Sequence, residues 1–597
     1  MKPIKATSKT SNAGKGFRAL AVLLILGSAH LIFAAPGPRG FNSAHPKFSR
    51  DLDYAHGGSN HMVDVIVQYR VTPNSTHYSR MASRGAFVKA RLHGIRAAAF
   101  RVPASAIPLL EKDPDVLYVS PDRPLQLHSF SQFEPYDSAV MADAAAQQYG
   151  LDGTGIGIAV IDSGVTDHPD LHNSAGQSRV VYSQSFVNGD PTTADGYGHG
   201  THVSGIAAGN GAASAPGSGY PVQFTGLAPN ANIINLRVLD KNGNGSDSQV
   251  IAAIQAAIQL KNQYNIRIIN LSLGRPVYES YTLDPLCQAV EQAWQAGIVV
   301  VVAAGNSGRD NSQRTSGFAT IDAPGNDPYV ITVGATRTFN SATRVDDAIA
   351  SYSSKGPTLL DHIVKPDVVA PGNRIVSLLV SGSSLDANDR MLEVAPDACT
   401  TGSCSSRYFR LSGTSMSTPV VSGAVALMLQ QNPGLTPDTV KARLMKTAWK
   451  GFGTFCSSYD VFLNLYNNQY DIFTYGAGYM DVDQALASND VAAGPALSPS
   501  VSYNATNRTI SIQNTGSSNL ANSVIWGQSV VWGASAVWGG SVISANSVVW
   551  GDSVIWGQSV VWGNGASAGF GTIWGQSVVW GSSNMTSAYS DGQDGEN

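Results

Sequence analysis

The chain has 597 residues, of which 43% are hydrophobic and 13% charged, with 61 glycines and a formal charge of −4. That length exceeds what one hydrophobic core serves, so several domains are expected. So small a net charge gives no electrostatic case for nucleic acid or an anionic membrane surface as a partner.

Lys2, Lys5, Lys9, Lys15 and Arg18 precede an apolar run from Ala19 to Leu26 and the small residues Gly27, Ser28 and Ala29. Basic, apolar, small is the order of a secretory signal, so residues 1–29 are expected to be removed, with cleavage after Ala29. Apolar character continues to Ala35, yet even that stretch falls short of the roughly 20 residues a membrane span needs. No later segment is long and apolar enough to cross a bilayer. The mature chain is therefore expected to be extracellular, either secreted or held at the cell surface.

Residues 30–60, rich in Gly, Pro, Ser and His, read as a linker. A small α+β module then occupies 61–128. Val63, Val65 and Val67 alternate with polar residues as in a half-buried strand, and 98–102 and 117–119 read as two more strands. Ala104 to Glu111 reads as a short helix, and 77–95 is mixed. From Met62 to Leu127 nine Lys or Arg face five Asp or Glu, a local excess of +4 (9 − 5). The rest of the chain is then acidic on balance, which favours docking between the two.

From 140 to 490 apolar strands alternate with amphipathic helices. Strands are expected over 156–161, 233–239, 266–273, 298–303 and 330–333, and Ser246 to Gln249 resembles a capping box opening a helix. This is an α/β pattern with a mainly parallel sheet covered on both faces. In such sheets ligands gather beyond the carboxyl ends of the strands. Residues 500–520 read as a linker or short strands.

A hexad close to Ser-Val-Val-Trp-Gly-x fills 521–583, with Trp at 526, 532, 538, 550, 556, 562, 574 and 580. An even period keeps every Trp on one face of a strand, whereas a helix would advance about 600° per hexad and scatter them. A β-type repeat array is expected, serving either adhesion through Trp faces or a passive stalk. Residues 584–597 are expected to be disordered. Of the four cysteines, Cys399 and Cys404 suit a local bridge, which leaves Cys287 with Cys456; no Cys–His spacing reads as zinc.

Three short segments carry the chemistry. Asp162 follows a strand directly in Ala159-Val-Ile-Asp162-Ser-Gly164. His199 opens a helix in Gly198-His199-Gly200-Thr201-His202. Ser415 opens another in Gly413-Thr414-Ser415-Met416, with Pro419 expected in its first turn. Alone, Ser415 reads as a helix cap; together the three form an acid–imidazole–hydroxyl set in one of its known chain orders. His202 is a rival imidazole, more suited to packing. Asn306, between Gly305 and Gly308 at a strand end, can aim an amide at a developing oxyanion.

With Asn306, these segments closely resemble the subtilisin-like serine peptidases over about Gly150 to Ala487. The resemblance implies a subtilisin-like three-layer fold and peptide-bond hydrolysis, with Asp162, His199 and Ser415 as the triad and Asn306 as the oxyanion donor. It implies that Gly243-Asn244-Gly245 and Ser272-Leu273-Gly274 are backbone edges pairing with protein or peptide substrates. It makes residues 61–128 an inhibitory propeptide, the chain's own intramolecular partner, released by self-cleavage between about Leu127 and Ala139. Asp322 lies near the floor of the first specificity pocket, where a carboxylate would favour Lys or Arg, though a solvent-facing turn Asp fits the same residues. The chemistry requires no cofactor. The loop from Asn210 to Gly226 lacks the Asn-rich cluster of the family's calcium site, so no metal is assigned. The other class of function is an adhesive surface protein whose peptidase serves mainly its own maturation.

Overall fold

The structure, a computed structural model, describes residues 45–49, 51–52, 61–127, 136, 139–142, 148–312, 315–341, 343–396, 406–452, 455–459, 464–492, 494–504 and 509–513. The expected signal segment, the hexad repeats, the C-terminal tail, Cys399 and Cys404 lie outside the described residues.

The N-terminal module is a four-stranded antiparallel sheet, in the order β2 (Phe87–Leu92), β3 (Ala97–Pro103), β1 (Met62–Tyr69), β4 (Val116–Pro121). The mixed 77–95 stretch resolves into β2 and a helix, α1 (Ser75–Ser83), capped by the Asn74 side chain, which accepts from the Thr76 amide. The helix expected from Ala104 starts as a single 3-10 turn and becomes α2 only over Ile107–Glu111. The segment read as linker is partly structural: Phe48 bridges to Val119, and Phe48 and Leu52 are buried in the module's core.

The large sheet runs β14 (Ala348–Ile349), β13 (Ile331–Arg337), β12 (Val299–Ala303), β10 (Ile266–Leu271), β6 (Gly157–Asp162), β8 (Asn232–Arg237), β7 (Val180–Ser185), with β15 (Val368–Pro371) also pairing β13. Every pairing is parallel except that of the short β14. Its central strands β6 and β12 are buried at every position, as a sheet covered on both faces requires. The helices α3 (His199–Ala208) and α6 (Thr414–Gln431) pack on each other and on the sheet; α4 (Asp247–Tyr264) and α5 (Pro285–Gln295) form the second pair.

The module docks on α4 and α5. Gln68 Nε2 donates to the Leu283 carbonyl at 2.8 Å, and Gln288 Nε2 to Gln68 Oε1 at 3.0 Å. The capping box expected at Ser246 does not form: the Ser246 hydroxyl turns to Gln249 Oε1. Asp122 of the module caps α4 instead, accepting from the Ser248 amide at 2.8 Å and the Ser248 hydroxyl at 2.6 Å. A carboxylate at a helix N-terminus satisfies orphan amides and opposes the helix dipole.

Beyond α6 the chain still belongs to this fold. Strands Ser500–Asn504 and Thr509–Gln513 pair antiparallel, and the Val501 amide donates to the His362 carbonyl. The fully buried Lys441 donates to the Pro328 and Val330 carbonyls and to Ser498 Oγ. The pairing of Cys287 with Cys456 is not formed. Both are free thiols, and Cys287, on the buried face of α5, donates to Asn326 Oδ1 at 3.3 Å.

Leu271 is fully buried at the end of β10, directly before Ser272. Leu271→Ala in a full-length Ser415→Ala background is expected to lose about 2–5 kcal/mol, read as a lower thermal midpoint by calorimetry.

Candidate active site

Three neighbouring strands, β12, β10 and β6, end side by side, and the candidate residues follow those ends. Asp162 is the last residue of β6, Ser272 follows β10, and Asn306 lies three residues past the end of β12. This is the carboxyl edge of a parallel sheet, where α/β folds bind ligands.

Asp162 and His199 meet as expected. His199 Nδ1 lies 2.9 Å from Asp162 Oδ1, and both side chains are fully buried. The carboxylate also accepts from the Ser163 amide at 2.7 Å. Nδ1–H facing a carboxylate fixes the tautomer, leaving Nε2 as the basic nitrogen. That Nε2 is buried and has no hydrogen-bond partner.

His199 is aimed by a residue the sequence reading did not select. Asp195 is a buried carboxylate that accepts from the Gly198 amide at 2.6 Å, the Thr201 amide and hydroxyl at 2.8 Å each, and the Ser163 hydroxyl at 2.8 Å. It caps α3, and burial pushes its pKa up despite these donors. Asp195 precedes His199 by four residues, a capping signal that was available in the sequence. Gly198 has φ +104°, and a side chain there would strike Ser383, so glycine is required.

Ser415 is the second residue of α6, after Gly413 at φ +149°. Its hydroxyl donates to the Ser272 carbonyl at 2.9 Å, not to His199. In return the Ser272 hydroxyl donates to the Ser415 carbonyl at 2.8 Å. Pro419 explains the second bond. It lies in the second turn of α6, not the first, and its missing N–H is the one that would have reached the Ser415 carbonyl. Ser272 supplies that donor from the sheet edge.

Asn306 Oδ1 accepts from the Thr414 amide at 2.9 Å and the Thr414 hydroxyl at 3.0 Å. Its Nδ2 is buried without a partner, beside the first turn of α6. The Ser415 amide is among the first four of that helix, which have no intrahelical acceptor.

The two expected edges face one cleft, and it is filled. β5 (Pro124–Leu127) lies between β9 (Gly245–Ser246) and β11 (Leu273–Gly274) as the middle strand of an antiparallel triple. Leu125 pairs with Gly245, Gln126 with Gly274 and Leu127 with Leu273. Gly243 and Asn244 form the turn before β9, closed on Asp240. Asp322 is buried, with its side chain against Gly274 and Gly305, so it does not face solvent.

The model of the subtilase family matches residues 153–484, more than half of the chain. The chain belongs to the subtilase family. Relatives within it match at appreciable identity. Serine protease AprX of Bacillus subtilis is 43% identical over 300 residues, 49% of this chain and 61% of AprX. Subtilisin E of the same organism is 33% identical over 407 residues, 67% of this chain and 89% of that protein. The crystal structure of fervidolysin from Fervidobacterium pennivorans matches with a TM-score of 0.54 at 22% identity, over 76% of this chain and 64% of that one. At that identity the likeness concerns the fold. The matches to AprX and fervidolysin each span under two thirds of those proteins. Among the described residues no group of three or more His, Cys, Asp or Glu could hold a metal ion. In the loop from Asn210 to Gly226, Tyr220 and Phe224 make aromatic contacts with Tyr408.

His202 sits one turn beyond His199 and is a packing residue of this subtilase. It is fully buried, its Nε2 donates to the Phe409 carbonyl at 2.9 Å, and burial pulls its pKa down to about 3. An unfolded His titrates near 6.5, so the unfolded chain binds the extra proton between those values. Stability from this group is complete above about pH 6.5 and declines as pH falls toward 3. His202→Phe is expected to make stability between pH 6 and 4 fall less steeply, by up to ~1.4 kcal/mol per pH unit, as read by urea unfolding across that range.

Proposed function

We propose that the chain is a secreted serine endopeptidase that works through an acyl-enzyme and is held inactive by its own N-terminal module. The observation that carries this reading is a pair of buried, unpartnered groups in fixed positions: Nε2 of His199 and Nδ2 of Asn306. Each is anchored through its other polar atom, and each would otherwise cost the free energy of an unsatisfied buried group. Such orphans are expected where a reacting group belongs.

In the proposed cycle Ser415 Oγ leaves the Ser272 carbonyl by rotation about one side-chain bond and donates to His199 Nε2. It attacks the peptide carbonyl as Nε2 takes its proton. The new oxyanion accepts from Asn306 Nδ2–H and the Ser415 amide. Collapse breaks the C–N bond, Nε2 returns the proton to the leaving amine, and the acyl group stays on Ser415. Water repeats the sequence and releases the acid. Asp162 holds the imidazole and balances its positive charge. No step requires a metal or organic cofactor.

Substrates would add as an antiparallel strand between Gly243–Gly245 and Ser272–Gly274, the position now taken by β5. Main-chain pairing gives affinity that tolerates many sequences. Asp322, beneath the Gly274 and Gly305 backbone, would draw Lys or Arg into the first pocket. The occupied cleft supports reading residues 61–127 as an inhibitory propeptide. The basic signal-like N-terminus supports export.

Wild-type chain is expected to shed its N-terminal module by cleavage within a few residues beyond Leu127, while Ser415→Ala and His199→Ala stay full length. Mass spectrometry of the products reads both, and an intact wild-type chain would contradict the reading. Asn306→Ala is expected to lower kcat on a peptide amide about 10²–10³-fold with little change in KM. That range is the one known from subtilisin itself.

A further inference from the structure

Immediately before β5, Arg123 reaches from the N-terminal module into the catalytic domain and is almost completely buried. Its main chain is already in register, because the Asp247 amide at the start of α4 donates to the Arg123 carbonyl at 2.9 Å. Its guanidinium lies 5.3 Å from the Tyr278 ring centre and donates to Glu279 Oε1 at 2.7 Å. On its outer side it is held by Asp51 at 2.8 and 2.9 Å and by Ser49 at 2.7 Å.

The two sides of this grip have different fates. Ser49 and Asp51 pack with the module and would leave with it. Tyr278, Glu279 and Asp247 stay with the catalytic domain. Glu279 is fully buried, and the Tyr118 hydroxyl of the module also approaches its carboxylate and would leave with the module. The nearby Arg275 is committed elsewhere, to Asp247 at 2.9 Å and Asp284 at 2.8 Å. Removal of the module would therefore strip Glu279 of its counter-charge and open a carboxylate-floored cavity at the end of the substrate strand. A buried carboxylate without a partner is costly, so a cation arriving there is bound strongly.

We propose that Glu279, the Tyr278 ring and the Asp247 amide form a guanidinium-selecting subsite, which recognises an arginine four residues before the substrate position that Leu127 now occupies. A planar guanidinium satisfies both demands of the cavity, stacking on an aromatic face while donating to a carboxylate. Lysine, a compact point charge, meets both less well because it has no planar fork to lay on the ring. The subsite deepens the peptidase reading and rests on it, since it takes β5 as a copy of how substrates lie. It adds selectivity to a cleft whose other contacts are mainly backbone.

The test uses the self-processed enzyme and two internally quenched peptides reproducing residues 121–138, one natural and one with Arg123→Ala. A charge-assisted contact of this kind is expected to give the natural peptide a kcat/KM on the order of tenfold higher or more, mostly through KM. A third peptide, with Arg123→Lys, should fall between the two, and Glu279→Gln enzyme should bring the natural-to-alanine ratio close to one. A ratio within twofold for the wild-type enzyme overturns the subsite while leaving the peptidase reading in place, and this arm needs no variant to fold. A chain that neither sheds its module nor cleaves either peptide or denatured casein overturns the peptidase reading and the subsite together.

Discussion

Two serines tie the active centre together. The hydroxyl of Ser272 reaches the Ser415 carbonyl, and the hydroxyl of Ser415 reaches the Ser272 carbonyl. The first bond exists because Pro419 cannot donate to that carbonyl within its own helix. A helix defect thus becomes a staple between α6 and the sheet edge. With α6 fixed to β10, the same sheet edge fixes everything else: Asp162 ends the strand on one side, and Asn306 follows the strand on the other. Rigid parallel strands set these spacings.

Much of this was legible in the residues. Apolar strand runs fix the sheet, because strands buried on both faces must be apolar throughout. Asp162, His199, Ser415 and Asn306 stood out because each follows a strand or opens a helix beside glycines. What stayed hidden depends on long-range contact. Arg123 reads as one more basic residue in a basic module; its partners Asp51 and Glu279 are 72 and 156 residues away in sequence. The capping box at Ser246 failed because a stronger carboxylate, Asp122, arrives from another domain. Pro419 was misplaced by a turn because helix starts are uncertain by a residue or two. Cysteine parity suggested a pairing that geometry does not support, with Cys287 on the buried face of α5.

The contact between module and catalytic domain is layered. Glutamine pairs and sheet packing hold the broad face on α4 and α5. Asp122 satisfies the helix start that the catalytic domain leaves open. Arg123 neutralises an acidic cavity, and β5 fills the cleft strand by strand. Arg123 carries one of the module's positive charges into this contact, while Arg70, Arg91, Arg96, Arg101 and Lys112 stay exposed.

The buried ammonium of Lys441 has a practical consequence. It gathers carbonyls from the segment before β13 and the hydroxyl of Ser498, which lies beyond the last catalytic helix. Ser498 in turn reaches Asp367, and the paired strands up to Gln513 follow directly. Anyone trimming away the tryptophan repeats should place the cut after Gln513. A stop codon near residue 490 would remove the one hydroxyl from a buried amine that otherwise rests on Asp367 and three carbonyls.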